Sequence, residues 1–326
     1  ERAAAEAREA ISRAPDLGLP YLNLAYALRG LNRYEEALRV AADAVMRGIE
    51  TLPTRRLLYQ FALMRNDDAE AAAQMTWAEN RPRLFDFVGA RAQAFAYRGQ
   101  WQEARALYLR TIDMARTDGL NEVAGAYAAQ AAWTVQLLGL RGELARETVE
   151  LTKQSVQLEL LGIAALSSTV DEGVLGRIDA AVARLPSDTM LVNVSAPIAR
   201  ASVELARHRP AAALDALRPT NPYDYGRVAA LAPLYLRAEA LRLSGDTRAA
   251  VAEYTRLLGH RGTEPFAIFH ALAPLGLARA HAQGGNATEA LRAFDEFLEW
   301  FEQADPDLPL LVQARAERER LARQAS

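Results

Sequence analysis

The chain has 326 residues, 51% of them hydrophobic, and a formal charge of −3 at pH 7 from 38 basic and 41 acidic side chains. Acids and bases are interspersed, which argues against the basic face of a nucleic-acid binder, and the lack of cysteine excludes disulfides, thiolate nucleophiles and cysteine-ligated zinc. The single lysine, Lys153, sits in Leu151-Thr152-Lys153-Gln154-Ser155 without the glycines of a phosphate-binding loop, so ATP-using enzymes of the P-loop and protein-kinase types are excluded too.

Residues 1–13 read as a leading helix, ended by Pro15 and Gly18. From Pro20 a phrase recurs: a helical run, a Gly or polar turn, then an aromatic or acidic residue leading into Glu-Ala or Ala-Ala and a second helical run. It reads Asn32-Arg33-Tyr34-Glu35-Glu36-Ala37, Gly99-Gln100-Trp101-Gln102-Glu103-Ala104, Gly245-Asp246-Thr247-Arg248-Ala249-Ala250 and Gly285-Asn286-Ala287-Thr288-Glu289-Ala290. Weaker copies centre on Ala71, Ala145 and Ala213. A period of roughly 34 residues with two helices per unit is the tetratricopeptide signature, and such a unit buries its apolar face only by stacking on its neighbours.

With the small alanine of each second helix as anchor, the expected pairs are 20–31 with 34–48, 53–65 with 67–80, 84–98 with 101–117, and 120–138 with 142–154. They continue as 156–168 with 171–185, 188–208 with 210–218, 229–244 with 247–259, and 265–283 with 287–303. Ala25, Ala37 and Ala44 fall where the first two helices touch most closely. Asn, Asp or Thr at the turns are expected to cap second helices. The stretch 156–186 matches least, although Val170, Leu175, Ile178 and Val182 suggest an amphipathic second helix. The Pro-rich turns 218–222 and 261–265 are longer than a repeat turn and would bend the superhelix. Asp305-Pro306 is expected to open a final helix, with Asp as N-cap and Pro at the first position; its Arg/Glu-rich sequence suits a capping helix over 305–325. The predicted fold is all-α: one domain over 1–326, a right-handed tetratricopeptide-like (TPR-like) α-solenoid of about eight helix pairs with a C-terminal capping helix.

The array resembles the tetratricopeptide region C-terminal to the catalytic domain in bacterial membrane-anchored serine/threonine protein kinases, and arrays that follow winged-helix transcriptional regulators. The residues that carry this are Leu234-Tyr235-Leu236-Arg237-Ala238-Glu239-Ala240 before the Gly245 turn, His260-Arg261-Gly262, Leu275-Gly276-Leu277-Ala278-Arg279-Ala280-His281, and Ala304-Asp305-Pro306-Asp307-Leu308-Pro309-Leu310-Leu311, with Arg56-Leu57-Leu58-Tyr59-Gln60 nearer the start. The resemblance implies a regulatory or sensory module that receives a peptide, protein or small ligand. In the kinases a membrane helix often precedes the array, which would place it outside the cytoplasm; the winged-helix relatives leave the side open. No apolar run in the chain reaches the roughly 18 residues a membrane helix needs. The chain opens on Glu1 with no signal peptide, so a fragment of a longer protein is expected. A scaffold that assembles a complex and senses nothing is the alternative.

Candidate sites are few. His270 and His281 share a helix face, but a rise of about 16 Å separates them, too far for one metal ion; packed or surface histidines are expected, and no metal or cofactor. His260 and Arg261 suit a helix C-terminal cap. Glu35–Glu36 and Asp67–Asp68 stand at helix starts, where acids are stabilising, and neither Gly-x-Ser-x-Gly nor His-Glu-x-x-His occurs, so no catalytic residue is expected. Trp101, Tyr108, Tyr254, Phe294, Phe297, Trp300 and Phe301 are expected to fill gaps between repeats, with Trp300 and Phe301 a partner surface only if the cap moves. Partner-binding residues are expected on the inward face of the first helices: Tyr26, Arg29, Arg56, Gln60, Gln93, Gln130, Tyr235, Glu239, Arg242 and Arg279. Arginines with Tyr and Gln suit a carboxylate or an acidic extended peptide, because guanidinium pairs bidentately with carboxylate. Arg29, Arg56 and Arg242 are expected to contribute to its capture.

Overall fold

The computed structural model describes residues 1–140, 145–169 and 171–325, and all regular structure among them is helical. A leading helix α1 (Arg2–Arg13) packs on the first pair, α2 (Gly18–Gly30) and α3 (Tyr34–Met46). The next pairs are α4 (Leu52–Arg65) with α5 (Asp68–Ala78), α6 (Phe85–Tyr97) with α7 (Trp101–Thr117), and α8 (Asn121–Leu137) with α9 (Ala145–Thr152). Then come α10 (Val156–Ala165) with α11 (Val174–Arg184), α12 (Ala196–Ala206) with α13 (Pro210–Leu217), α14 (Ala232–Leu243) with α15 (Thr247–Leu258), and α16 (Ile268–Gln283) with α17 (Ala287–Trp300). A last helix, α18 (Pro309–Ala325), packs on α17. First helices also stack on one another, α4 on α6, α8 on α10, α10 on α12, α12 on α14 and α14 on α16, which makes the chain a TPR-like α-solenoid.

The repeated alanines set the spacing. Ala37, Ala104, Ala213, Ala250 and Ala290 are fully buried, as are Ala25 and Ala44, while Ala71 is half-buried. A larger side chain at such a contact would overpack it by about 1–3 kcal/mol. Ala145 lies in α9, but its side chain falls outside the described residues, as does Val170. In the poorly matched stretch, α11 buries Val174, Ile178 and Ala181, with Leu175 and Val182 packed beside them. Asp67 and Asp246 cap the second helices α5 and α15, accepting from Glu70 N at 3.1 Å and Ala249 N at 3.0 Å. Asn286 makes no such bond, and Thr51 caps a first helix, α4, through a reciprocal box with Thr54. Trp101, Tyr108, Tyr254, Phe294, Phe297 and Phe301 are buried between helices.

One helix start differs from expectation. α18 begins at Pro309, not at Asp305-Pro306, so Pro309 is the proline in its first turn. Asp305 instead serves α7: its Oδ2 accepts from Gln102 N at 3.0 Å, and its own N–H donates to Gly99 O at 3.1 Å. α7 has no side-chain cap from its own sequence, so a carboxylate from 203 residues away supplies both the cap and the favourable charge at its N-terminus.

That contact belongs to a larger closure in which the array curls until its C-terminal repeats fill the inner face of the N-terminal ones. α16 packs on α6, and the 3₁₀ turn Arg261–Thr263 packs on α2. Arg29 on α2 donates from Nε to Gly262 O at 3.0 Å and from Nη2 to Thr263 O at 3.2 Å, while Asn32 donates to Gly259 O at 2.7 Å and accepts from Gly262 N at 2.9 Å. Gly262 permits this approach, since a Cβ there would lie 1.7 Å from Arg29 O. Gly99, at φ +74°, leaves room at the second closure point, where a Cβ would lie 2.6 Å from the Phe301 ring.

Candidate functional site

Closure leaves a cleft of two adjoining lobes on the inner face. The polar lobe, ≈ 620 Å³, lies between α2, α4 and the segment 259–264; the inner lobe, ≈ 390 Å³, is lined from α6, α8, α10, α12, α14 and α16. Arg227 and Glu264 line both.

The polar lobe carries three arginines in different states. Arg29 is buried and anchored to the two carbonyls above and to Gln60 Oε1 at 3.0 Å, all uncharged acceptors. Burial pulls its guanidinium below the ordinary value, with Glu264 opposing. Arg56 has a buried Nε with no hydrogen-bond partner. Burial lowers its pKa, but the field of Tyr127, Asp86, Tyr26 and Glu264 outweighs that and raises it. Arg227 is exposed and makes neither a hydrogen bond nor an ion pair among the described residues. With Glu264 the nearby carboxylate, the lobe presents a surplus of positive charge.

Apolar walls dominate the inner lobe. Trp133 of α8 meets Phe269 of α16 edge-to-face at 4.8 Å, and Leu160, Leu161 and Ile198 complete the apolar surface. Its polar groups pair with each other: Gln93 Nε2 donates to Gln130 Oε1 at 2.8 Å, and Gln157 bonds Ser195. Gln93 Oε1 is buried there without a partner. Tyr127 is pushed up to about 12, chiefly by burial, and stays neutral.

The segment 224–231 crosses both lobes. Asp224, almost wholly buried, fixes its start through Arg237 at 2.7 Å and Arg256 at 2.8 Å. Tyr225 stacks on His260 with ring centroids 4.0 Å apart. At the other end Ala230 and Leu231 both adopt left-handed φ, +46° and +68°, which a residue with a Cβ adopts at a cost of about 1–2 kcal/mol. Strain of this kind gathers where a segment must hold a special shape.

The ten inward-facing candidates divide. Tyr26, Arg29, Arg56 and Gln60 line the polar lobe, and Gln93 and Gln130 the inner lobe. Tyr235 packs on Phe269 and Tyr254. Glu239 takes Arg242 at 2.6 Å and the Tyr254 hydroxyl, and Arg279 pairs with Glu317 of α18 at 2.8 Å. Arg242 and Arg279 therefore line a separate shallow cleft of ≈ 560 Å³ against α18, away from Arg29 and Arg56. Sequence reasoning missed Arg227, Glu264, Tyr127, Trp133 and Phe269. The α8 trio had a signal, since Tyr127, Gln130 and Trp133 share a helix face at a spacing of three.

Two of the four histidines are held by backbone carbonyls, His260 and His270. His260 Nδ1 donates to Arg256 O at 2.7 Å, a C-terminal cap on α15. Arg261 does not share that role; it lies over the rings of Tyr97 and Trp300 at 5.3 and 5.1 Å. His270 is buried between Tyr97 and Leu258 O. Among the described residues no group of three His, Cys, Asp or Glu is poised for a metal ion, and no helix is long and apolar enough to cross a membrane.

No protein-family model and no curated protein sequence matches the chain. Among solved structures it is similar to the P58(IPK) TPR domain at 13% identity, over 99% of this chain and 93% of that one, with a TM-score of 0.34. It is similar also to yeast Tom70 at 12% identity, over 99% of this chain and 85% of that one, with a TM-score of 0.32.

Proposed function

We propose that this chain is a non-catalytic binding module, the regulatory region of a signalling protein, which captures a carboxylate-bearing ligand in the internal cleft. One observation carries the reading: Arg56, its Nε buried and unpartnered, stands in the same lobe as the unpaired Arg227. Among the described residues no carboxylate pairs with either guanidinium, and the one on Arg56 lines the lobe, where an incoming carboxylate can take its remaining N–H groups. Stacked helix pairs hold Arg56, while the 224–231 segment, tied at its start by Asp224, carries Arg227. The carboxylate enters at the polar lobe, and an acidic peptide is the simplest probe that presents one there.

Titrating an acidic peptide into the wild type and into Arg56→Gln/Arg227→Gln by calorimetry tests this. Saturable binding that weakens tenfold or more in the double variant is expected; equal affinity in both would overturn the assignment. The signalling role rests on the resemblance to kinase and winged-helix arrays. A kinase or DNA-binding domain encoded ahead of Glu1 would support it, and a stand-alone reading frame would favour the scaffold.

A further inference from the structure

Resting on that reading of the cleft, we infer that its ligand is a small amphipathic carboxylate, with the anionic head on Arg56 and Arg227 and an apolar tail in the inner lobe. The two lobes share Arg227 and Glu264, so one ligand of modest length bridges them. Each lobe falls within or near the range of small-molecule sites, about 300–1,000 Å³. Their chemistry is divided along the cleft: unpaired cations at one end, and the Trp133–Phe269 pair with Leu160, Leu161 and Ile198 at the other.

A polypeptide backbone suits the inner lobe poorly. Every residue brings an obligatory donor and acceptor, whereas the deep end of the lobe offers few free ones: its amides pair as Gln93–Gln130 and Gln157–Ser195, leaving Gln93 Oε1 and the Tyr127 hydroxyl. Hydrocarbon needs no such partners and gains from leaving water. Residues of α6, α8, α10, α12, α14 and α16 and the 224–231 segment line the lobe that takes the tail, and α2 and α4 line the one that takes the head.

Calorimetry with decanoate, octanoate, acetate and decanol tests the inference. Decanoate should bind one to one, octanoate more than tenfold more weakly because each CH₂ is worth about fourfold, and acetate and decanol weakly or not at all. Two variants at exposed positions leave the fold intact and read the site: Arg227→Gln removes a head contact, and Val228→Asp sets a like charge at the lobe. Each should weaken decanoate tenfold or more with an unchanged thermal midpoint. Decanoate binding that ignores both variants, or no saturable binding, would overturn the inference. If the acidic peptide binds through Arg56 and Arg227 while decanoate does not, the carboxylate reading survives and the amphipathic ligand falls. If neither binds, both fall.

Discussion

Tyr97 and His270, 173 residues apart in the chain, share a buried hydrogen bond of 2.8 Å between the phenol oxygen and Nδ1. Nε2 faces the carbonyl of Leu258 at 3.2 Å, and a carbonyl only accepts, so Nε2 carries a proton; burial lowers the ring's pKa to about 4, which leaves Nδ1 bare to accept from Tyr97. The imidazole is therefore neutral, and through it α6, α15 and α16 are joined at the centre of the closure.

Acid should weaken that junction. Burial, aided by the nearby Arg261 and opposed by the Leu258 carbonyl, lowers His270 from 6.5 to about 4. The unfolded chain then binds more protons between those values, so stability is full above pH 6.5 and falls as pH drops towards 4. The slope is about 1.4 kcal/mol per pH unit. Chemical denaturation at pH 7 and pH 5 should show this loss in the wild type and a smaller one in His270→Gln. Equal losses would mean the histidine is protonated in the folded state.

Arg29→Ala should loosen the closure at its other end. The guanidinium satisfies Gly262 O, Thr263 O and Gln60 Oε1, and its removal leaves buried acceptors unpaired at a cost of about 1–3 kcal/mol. Hydrogen exchange should quicken in 259–264 and α2 while α10 and α11 stay protected. Unchanged exchange in 259–264 would show that the turn is held by other contacts.

Comparing Gly99→Ala with Gly245→Ala separates backbone strain from close packing. Both have positive φ, +74° and +85°, but a Cβ at 245 meets nothing within 4 Å whereas one at 99 meets Phe301 and Ala304 at 2.6–2.7 Å. Gly245→Ala should cost about 1–2 kcal/mol from the left-handed backbone alone, and Gly99→Ala clearly more. Similar thermal midpoints would show that the 301–305 segment yields easily.

Ala290→Trp should destabilise the last pair by about 1–3 kcal/mol or more, because Ala290 is fully buried in the first turns of α17. An unchanged thermal midpoint would place the residue outside the seam.

How much of this was legible beforehand follows from the range over which each feature is decided. The pairs, their order and the buried alanines Ala37, Ala104, Ala213, Ala250 and Ala290 were readable from the sequence, because helix period, turn chemistry and one small contact residue act within a single unit of roughly 34 residues. The inward register was readable too: Tyr26, Arg29, Arg56, Gln60, Gln93 and Gln130 line the cleft. Curvature was not. It accumulates from small rotations at every repeat interface, and only their total brings α16 against α6, sets Asp305 on α7 and lays 224–231 across the inner face. That same total divides Arg242 and Arg279 from Arg29 and Arg56, committing the first two to Glu239 and Glu317. The sequence alone determined a stack of helix pairs with arginines facing inward; the tertiary closure decided which of those arginines are left without a partner, since that depends on contacts between residues some 200 positions apart.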